Sequence, residues 1–189
     1  MISFTGQLIN KFHVQKKMQD GAFKPLEVSF VKVNTEDTND VFALSEAIDL
    51  WDGKRHIAKM IKQKLKDDFL GFINRRQKCY KDYFIGTFQK ENFEKLEPEK
   101  IFSAIQAVKC FDDTVELAYI EVNPEFAKRN IAREVKECGR QTVLSFIDYY
   151  SPNSIMLDAI NLPAKKVYES VGFTPYSTGG FMIYHGKQK

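Results

Sequence analysis

Apolar positions along this chain change period several times, and each change marks an element. Near the start, Phe4 to Met18 alternates loosely and Glu27-Val28-Ser29-Phe30-Val31-Lys32-Val33 alternates well, the period of half-buried strands. Gln19-Asp20-Gly21 lies between them, and an Asp-Gly pair between alternating runs predicts a hairpin. From Thr35 the period lengthens. Thr35, Asp37, Thr38 and Asn39 are cap-forming residues, and Val41, Leu44, Ile48 and Trp51 then recur at helical spacing as far as Gly53. A second helix is predicted over about 54–69. Ile57, Met60, Ile61, Leu65 and Phe69 share one side of it, and the other side is strongly basic.

The second half carries shorter signals. Leu70-Gly71-Phe72-Ile73 and Tyr83-Phe84-Ile85-Gly86 are brief apolar pieces, and the acidic run Glu91 to Lys100 with Pro98 reads as a surface loop. Ile101 to Val108 and Val115 to Val122 predict strands on either side of a turn at Asp112-Asp113, and Asn123-Pro124-Glu125 ends the second. A helix falls within 125–150, where Ile131, Val135, Cys138, Thr142, Phe146 and Tyr150 form one stripe and Gly139 is its weak point. Ser151-Pro152-Asn153 is a turn, and the apolar run Ile155 to Ile160 predicts a buried strand. Asn161 then opens a short helix with Pro163 in its first turn, where the missing amide costs nothing. Gly172 stops that helix, Phe173 starts the next strand, and Phe181 to Tyr184 is the last. Strand, helix, helix, three strands, helix, strand, helix, strand is an α/β order with antiparallel hairpins added, in one domain over residues 1–189.

Composition narrows the function classes. With 43% hydrophobic and 28% charged residues, 189 residues suffice for one good core. A net charge of +3 gives no global field for nucleic acid. Cys79, Cys110 and Cys138 have neither close spacing nor a neighbouring His, so disulfide frameworks and metal sites are not expected. The start lacks a signal-peptide pattern and no run approaches a membrane span, so a cytoplasmic protein is expected. The basic run from Lys54 to Lys66, with Arg75, Arg76 and Lys78, could touch RNA, an acidic substrate or nucleotide phosphates. Its helical apolar spacing argues instead for the solvated face of a core helix. His13, His56 and His185 lie far apart and beside no ligand motif.

Asn161, Ala164, Tyr168 and Gly172-Phe173 have the spacing Asn-x-x-Ala-x-x-x-Tyr-x-x-x-Gly-Phe. It resembles the C-terminal signature of the GNAT superfamily, the acyl-CoA-dependent N-acyltransferases. The element order is also similar to that fold, with an extra N-terminal strand. The resemblance covers 115–173 in motif and only topology before that. It implies an α/β architecture: a mixed sheet of six to seven strands with helices on both faces. It implies acetyl-CoA as acyl donor, no metal, and a small-molecule or protein amine as acceptor. In that family Asn161 and Tyr168 would line the thioester end of coenzyme A, and Ala164 would let it pass close.

The same resemblance assigns further residues. The strand Val115–Val122, through positions such as Ile120 and Val122, would offer backbone groups to the pantetheine arm. The following loop normally reads Arg/Gln-x-x-Gly-x-Gly/Ala and holds the pyrophosphate at a helix N-terminus. Here that register falls on Ala127-Lys128-Arg129-Asn130-Ile131-Ala132, where only Ala132 conforms. Asn130 tolerates left-handed geometry, and Arg129 or Arg133 could restore positive charge. A second register at Glu137-Cys138-Gly139-Arg140 stays open, as does a plain core helix without an anion site.

Direct attack by an amine on a thioester needs a base and stabilisation of the leaving thiolate, but no covalent nucleophile. Tyr168 is the candidate for the thiolate. For the base, strand alternation sets Glu116 on one face with Ala118 and Ile120, and Glu121 on the other with Leu117 and Tyr119. The family offset of about six residues before the strand end points to Glu116. The two strands Val115–Val122 and Ile155–Ile160 are expected to be parallel neighbours that part at their C-terminal ends. A non-catalytic module of the same fold that binds coenzyme A or a protein, and a transferase acting on charged tRNA, are the rival readings. A homodimer is left open, and the acceptor has no motif.

Overall fold

The computed structural model describes residues 5–17, 20–51, 56–73, 81–89, 96–110, 113–123, 132–151 and 153–186. Strands β1 (Gln7–Lys17) and β2 (Phe23–Lys32) form the hairpin, in a register that shifts between Leu8 and Asn10. At its turn Gly21 takes φ +83°, and the Asp20 carboxylate accepts from the Ala22 amide at 2.9 Å. Helix α1 (Thr38–Leu50) starts where Asp37 accepts from the Asn39 amide, so of the four cap-forming residues Asp37 is the one used. Val41, Leu44, Ile48 and Trp51 are all buried, as their spacing requires.

Helix α2 (His56–Ile73) runs four residues past the expected end. The apolar piece Leu70 to Ile73 is its last turn and not a separate element. Strands β3 (Lys81–Thr87), β4 (Ile101–Lys109) and β5 (Thr114–Val122) follow as an antiparallel meander, with a single 3₁₀ turn at Pro98–Lys100. Asp113 turns the chain between β4 and β5 with φ +54°. Helix α3 (Ala132–Tyr150) then crosses to β6 (Ser154–Asp158), helix α4 (Leu162–Ser170) follows, and β7 (Thr174–Pro175) and β8 (Phe181–Tyr184) complete the sheet. β6 stops two residues short of the expected Ile160, although the Ala159 amide still donates to the Gly180 carbonyl at 2.8 Å.

The strand order is β1-β2-β3-β4-β5-β6-β8-β7, and β5–β6 is the parallel pair in an otherwise antiparallel sheet. Eight strands among the described residues, one of only two residues, stand against an expected six to seven. Helices cover both faces. α1 and α2 enclose one core with Val31, Tyr83, Ile85, Ile101 and Ala104. α3 and α4 enclose the other with Phe30, Phe84, Phe102, Ile105, Val115, Leu117, Ile155 and Leu157. No helix among the described residues is long and apolar enough to cross a membrane.

Candidate active site

β5 and β6 pair only at Thr114–Ser154, Val115–Ile155 and Glu116–Met156. Beyond that row they part. β6 continues with β8, pairing Leu157 with Met182 and Asp158 with Phe181. β5 continues with β4 as far as Ser103–Val122. The divergence coincides with a bulge. Gln106 faces Tyr119 and Ala107 faces Leu117, so Ala118 is an extra residue on β5. A bulge bends its strand and increases local twist. Among the described residues, the C-terminal half of β5 is therefore left with an edge that has no strand beside it.

The bulge also corrects the expected placing of the carboxylates. Simple alternation sets Glu116 and Glu121 on opposite faces. The extra residue flips the parity, so Glu116, Tyr119 and Glu121 all share the face of α1 and α2, opposite Val108, Gln106 and Ala104. Val115, Leu117, Ile120 and Val122 point to the α3 and α4 core. Glu116 is exposed and sits in the last paired row before the opening, whereas Glu121 is buried.

On the other side of the opening, Asn161 follows Ala159 and Ile160, which lead out of β6. Its Oδ1 accepts from the Ala164 amide at 2.8 Å and caps α4, and its carbonyl accepts from the Lys165 amide at 3.0 Å. The cap engages only the oxygen, so the Nδ2 amide keeps two hydrogens to donate. Ala164 is half-buried against the core and Tyr168 is 5% exposed. The Tyr168 ring lies 5.7 Å from that of Phe173. Burial pushes the Tyr168 phenol up to about 12, so it is protonated at neutral pH.

Of the residues expected at the pyrophosphate, Arg129, Asn130 and Ile131 lie outside the described residues. Ala132 and Arg133 occupy the first described turn of α3. The second register is overturned. Glu137 to Arg140 are inside α3, where backbone amides are already bonded within the helix, and Gly139 faces open space. Sequence reading missed a cleft of about 430 Å³ between α3 and α4, lined by Arg140, Lys166, Glu137, Leu162, Pro163 and Val167. Arg140 reaches Glu137 at 3.6 Å, so part of its charge is answered within the cleft. No single segment carries this cleft, which is why no motif announced it.

Two polar networks stand behind these elements. On the α1 and α2 face, Gln106 Nε2 donates to the Tyr83 hydroxyl at 2.6 Å, which donates to Asp68 at 2.6 Å, and Lys81 pairs with Asp68 at 2.8 Å. This chain ties α2 to β3 and β4 beside Tyr119. At the far end of the sheet Asp82 gathers Lys32, Lys109 and the Tyr150 hydroxyl. Among the described residues no group of three or more His, Cys, Asp or Glu could hold a metal ion.

The architecture is that of known proteins. It is similar to an acetyltransferase of the GNAT family from Desulfovibrio desulfuricans, at a TM-score of 0.54 and 13% identity over 83% of this chain and 96% of that one. Also similar are the ribosomal-protein-S5-alanine acetyltransferase of Vibrio fischeri (TM-score 0.48, 12% identity, 92% and 97% covered) and an acetyltransferase of Streptococcus agalactiae (0.45, 17%, 83% and 96%). No protein-family model and no curated protein matches the chain. At these identities the likeness establishes the fold, which is GNAT-like as the sequence motif implied.

Proposed function

We propose that this chain is an N-acetyltransferase that moves an acetyl group from acetyl-CoA to a primary amine. The parting of β5 from β6 beyond Glu116 and Met156 is the observation that carries the reading. An open strand edge offers backbone donors and acceptors that need partners, and the amide-bearing pantetheine arm has the groups to supply them. In this reading the backbone around Ile120 and Val122 holds that arm, and the Asn161 Nδ2 reaches it from the opposite wall. The motif resemblance assigns Arg129, Asn130, Ile131, Ala132 and Arg133 to the pyrophosphate, and the start of a helix favours negative charge. The α3–α4 cleft, with Arg140 and Lys166 beside an apolar wall, suits the nucleotide end.

The amine nitrogen forms the new bond to the thioester carbonyl carbon, and the carbon–sulfur bond breaks. The amine loses one proton and the sulfur gains one, so no oxidant or outside reactant is needed. Glu116, exposed at the mouth of the opening, takes the amine proton directly or through water, and the buried Glu121 is the second candidate. Tyr168 donates a hydrogen bond to the departing sulfur. A phenol near 12 holds its proton more tightly than a thiol near 8.5, so hydrogen-bond stabilisation suits it better than complete transfer. Calorimetry with acetyl-CoA tests the reading, and absence of heat at millimolar ligand would reject it. The depth of Tyr168 in the core favours one rival, a module that binds coenzyme A without turnover. Binding without thiol release against any amine would select that rival.

A further inference from the structure

Among the described residues, α1 and α2 cover only part of their face of the sheet. Both helices pack over β4 and α2 reaches β5, and the face beyond β5 carries exposed or half-exposed side chains. Register identifies them. Glu116, Met156 and Ile183 form one row across β5, β6 and β8, and Asp158 and Phe181 form the next. Leu157 and Met182 are buried on the opposite side, so these five point to the open face. Phe181 is 50% exposed. The strip is apolar at Met156, Ile183 and Phe181 and ends in two carboxylates. Neither Glu116 nor Asp158 meets a cation among the described residues.

Asp158 lies one row beyond the last β5–β6 pair, on the wall of the opening that faces away from α3 and α4. Strand geometry puts its Cα about 7 Å along β6 from Met156, itself about 5 Å across from Glu116. Gly180, lacking a Cβ, leaves room for the carboxylate. A Cβ there would overlap the Asp158 Oδ1 and come within 2.7 Å of the Ala159 carbonyl oxygen. The aspartate thus leans over the bare backbone that leads into β8, past the strip of Met156, Ile183 and Phe181.

We infer that Asp158 selects the acceptor: an amine whose apolar stem carries a second positive charge. This rests on the acyltransfer reading above for the reaction itself. The stem lies on Met156, Ile183 and Phe181. The distal ammonium is held by Asp158, while the neutral amino group attacks the thioester and Glu116 takes its proton. A negative group beside an apolar strip favours a diamine over a monoamine of equal length, because only the diamine satisfies both. Asp158 is a specificity residue here, and its loss moves KM for diamines while leaving kcat in place.

The test titrates 1,6-diaminohexane and hexylamine into the full chain and measures acetyl transfer to both. The wild type should prefer the diamine by about fivefold or more, the scale of one charge-assisted contact near a surface, and the preference should shrink with salt. Asp158→Asn, nearly isosteric, should abolish the preference and spare hexylamine. Gly180→Ala should weaken the preference by displacing the carboxylate. Equal affinity for both amines in the wild type, a preference that survives Asp158→Asn, or an equal loss of kcat on both amines would overturn the assignment. Acetyl-CoA calorimetry on the same samples separates the two readings. An Asp158-dependent diamine preference without acetyl-CoA binding keeps the acceptor site and removes the transferase. Acetyl-CoA binding without that preference does the reverse.

Discussion

Asp82 holds three strands and a helix together at the end of the sheet away from the opening. Lys32 reaches it at 2.7 Å, Lys109 at 3.1 Å, and the Tyr150 hydroxyl donates to it at 2.6 Å. Burial alone would raise its carboxyl, but the hydrogen bonds from Lys32 and Tyr150 and the charge of Lys32 outweigh burial and hold it below the usual range. Its stabilisation is therefore present above the ordinary carboxylate pKa and lost as pH falls through the lowered one. Asp82→Ala leaves Lys32 half-buried without its anion and should cost about 3 kcal/mol in urea unfolding at neutral pH. Asp40 behaves oppositely. Burial first, and then repulsion from Asp37, raise it to about 6. Protonation is favoured in the folded state, so between pH 3.8 and about 6 stability falls as pH rises. That slope amounts to roughly 2–3 kcal/mol and should flatten in Asp40→Asn, as unfolding at pH 4.5 and 7.5 would reveal. At Tyr168 the hydroxyl and the ring can be separated. Tyr168→Phe keeps the packing on Phe173 and should lower kcat by about 10²-fold or more with little change in melting. Tyr168→Ala should lose about 3–5 kcal/mol of stability. Normal turnover in Tyr168→Phe would remove the phenol from the mechanism.

At the scale of elements, local chemistry and the β1–β2 and β5–β6 pairings were legible, and register was not. Asp20-Gly21, Asp37 and Asn161 each act where the sequence places them, because turn and cap preferences depend on a few adjacent residues. The bulge at Ala118 had no such local signal. It is a slip of β5 against Gln106 and Ala107 of β4, and it moves Glu116 and Glu121 onto one face. Asp158 was hidden for a related reason: within the run Ile155 to Ile160 it reads as part of a buried strand, while its row with Phe181 puts it on the open face. Asn161 allows a direct test of cap against ligand contact. Asn161→Ala should cost about 1 kcal/mol of stability through the lost cap. Asn161→Asp keeps the capping oxygen but removes the amide donor. It should leave melting nearly unchanged and weaken acetyl-CoA binding in calorimetry. Equal acetyl-CoA affinity in Asn161→Asp and wild type would assign Asn161 to capping alone.

Over the whole molecule, two cores on opposite faces of one sheet divide the work. Phe84 anchors the larger, stacked on Phe30 at 5.3 Å and meeting Phe146, Tyr149 and Tyr150 edge-on. That core fixes α3 and α4 and with them one wall of the opening. The α1 and α2 core fixes β3 to β5 and the other wall. The mixed α/β order was readable because period changes survive any packing detail. The α3–α4 cleft was not, since Arg140 and Lys166 meet only once both helices are in place. If the open edge of β5 receives the acyl donor, amide hydrogen exchange with and without acetyl-CoA will register it there. Added protection is expected over Ala118 to Val122 and Asp158 to Ala164, with little change in β1, β2 and the far end of β3. Saturating acetyl-CoA that leaves Ala118 to Val122 exchanging as in the free protein would contradict it.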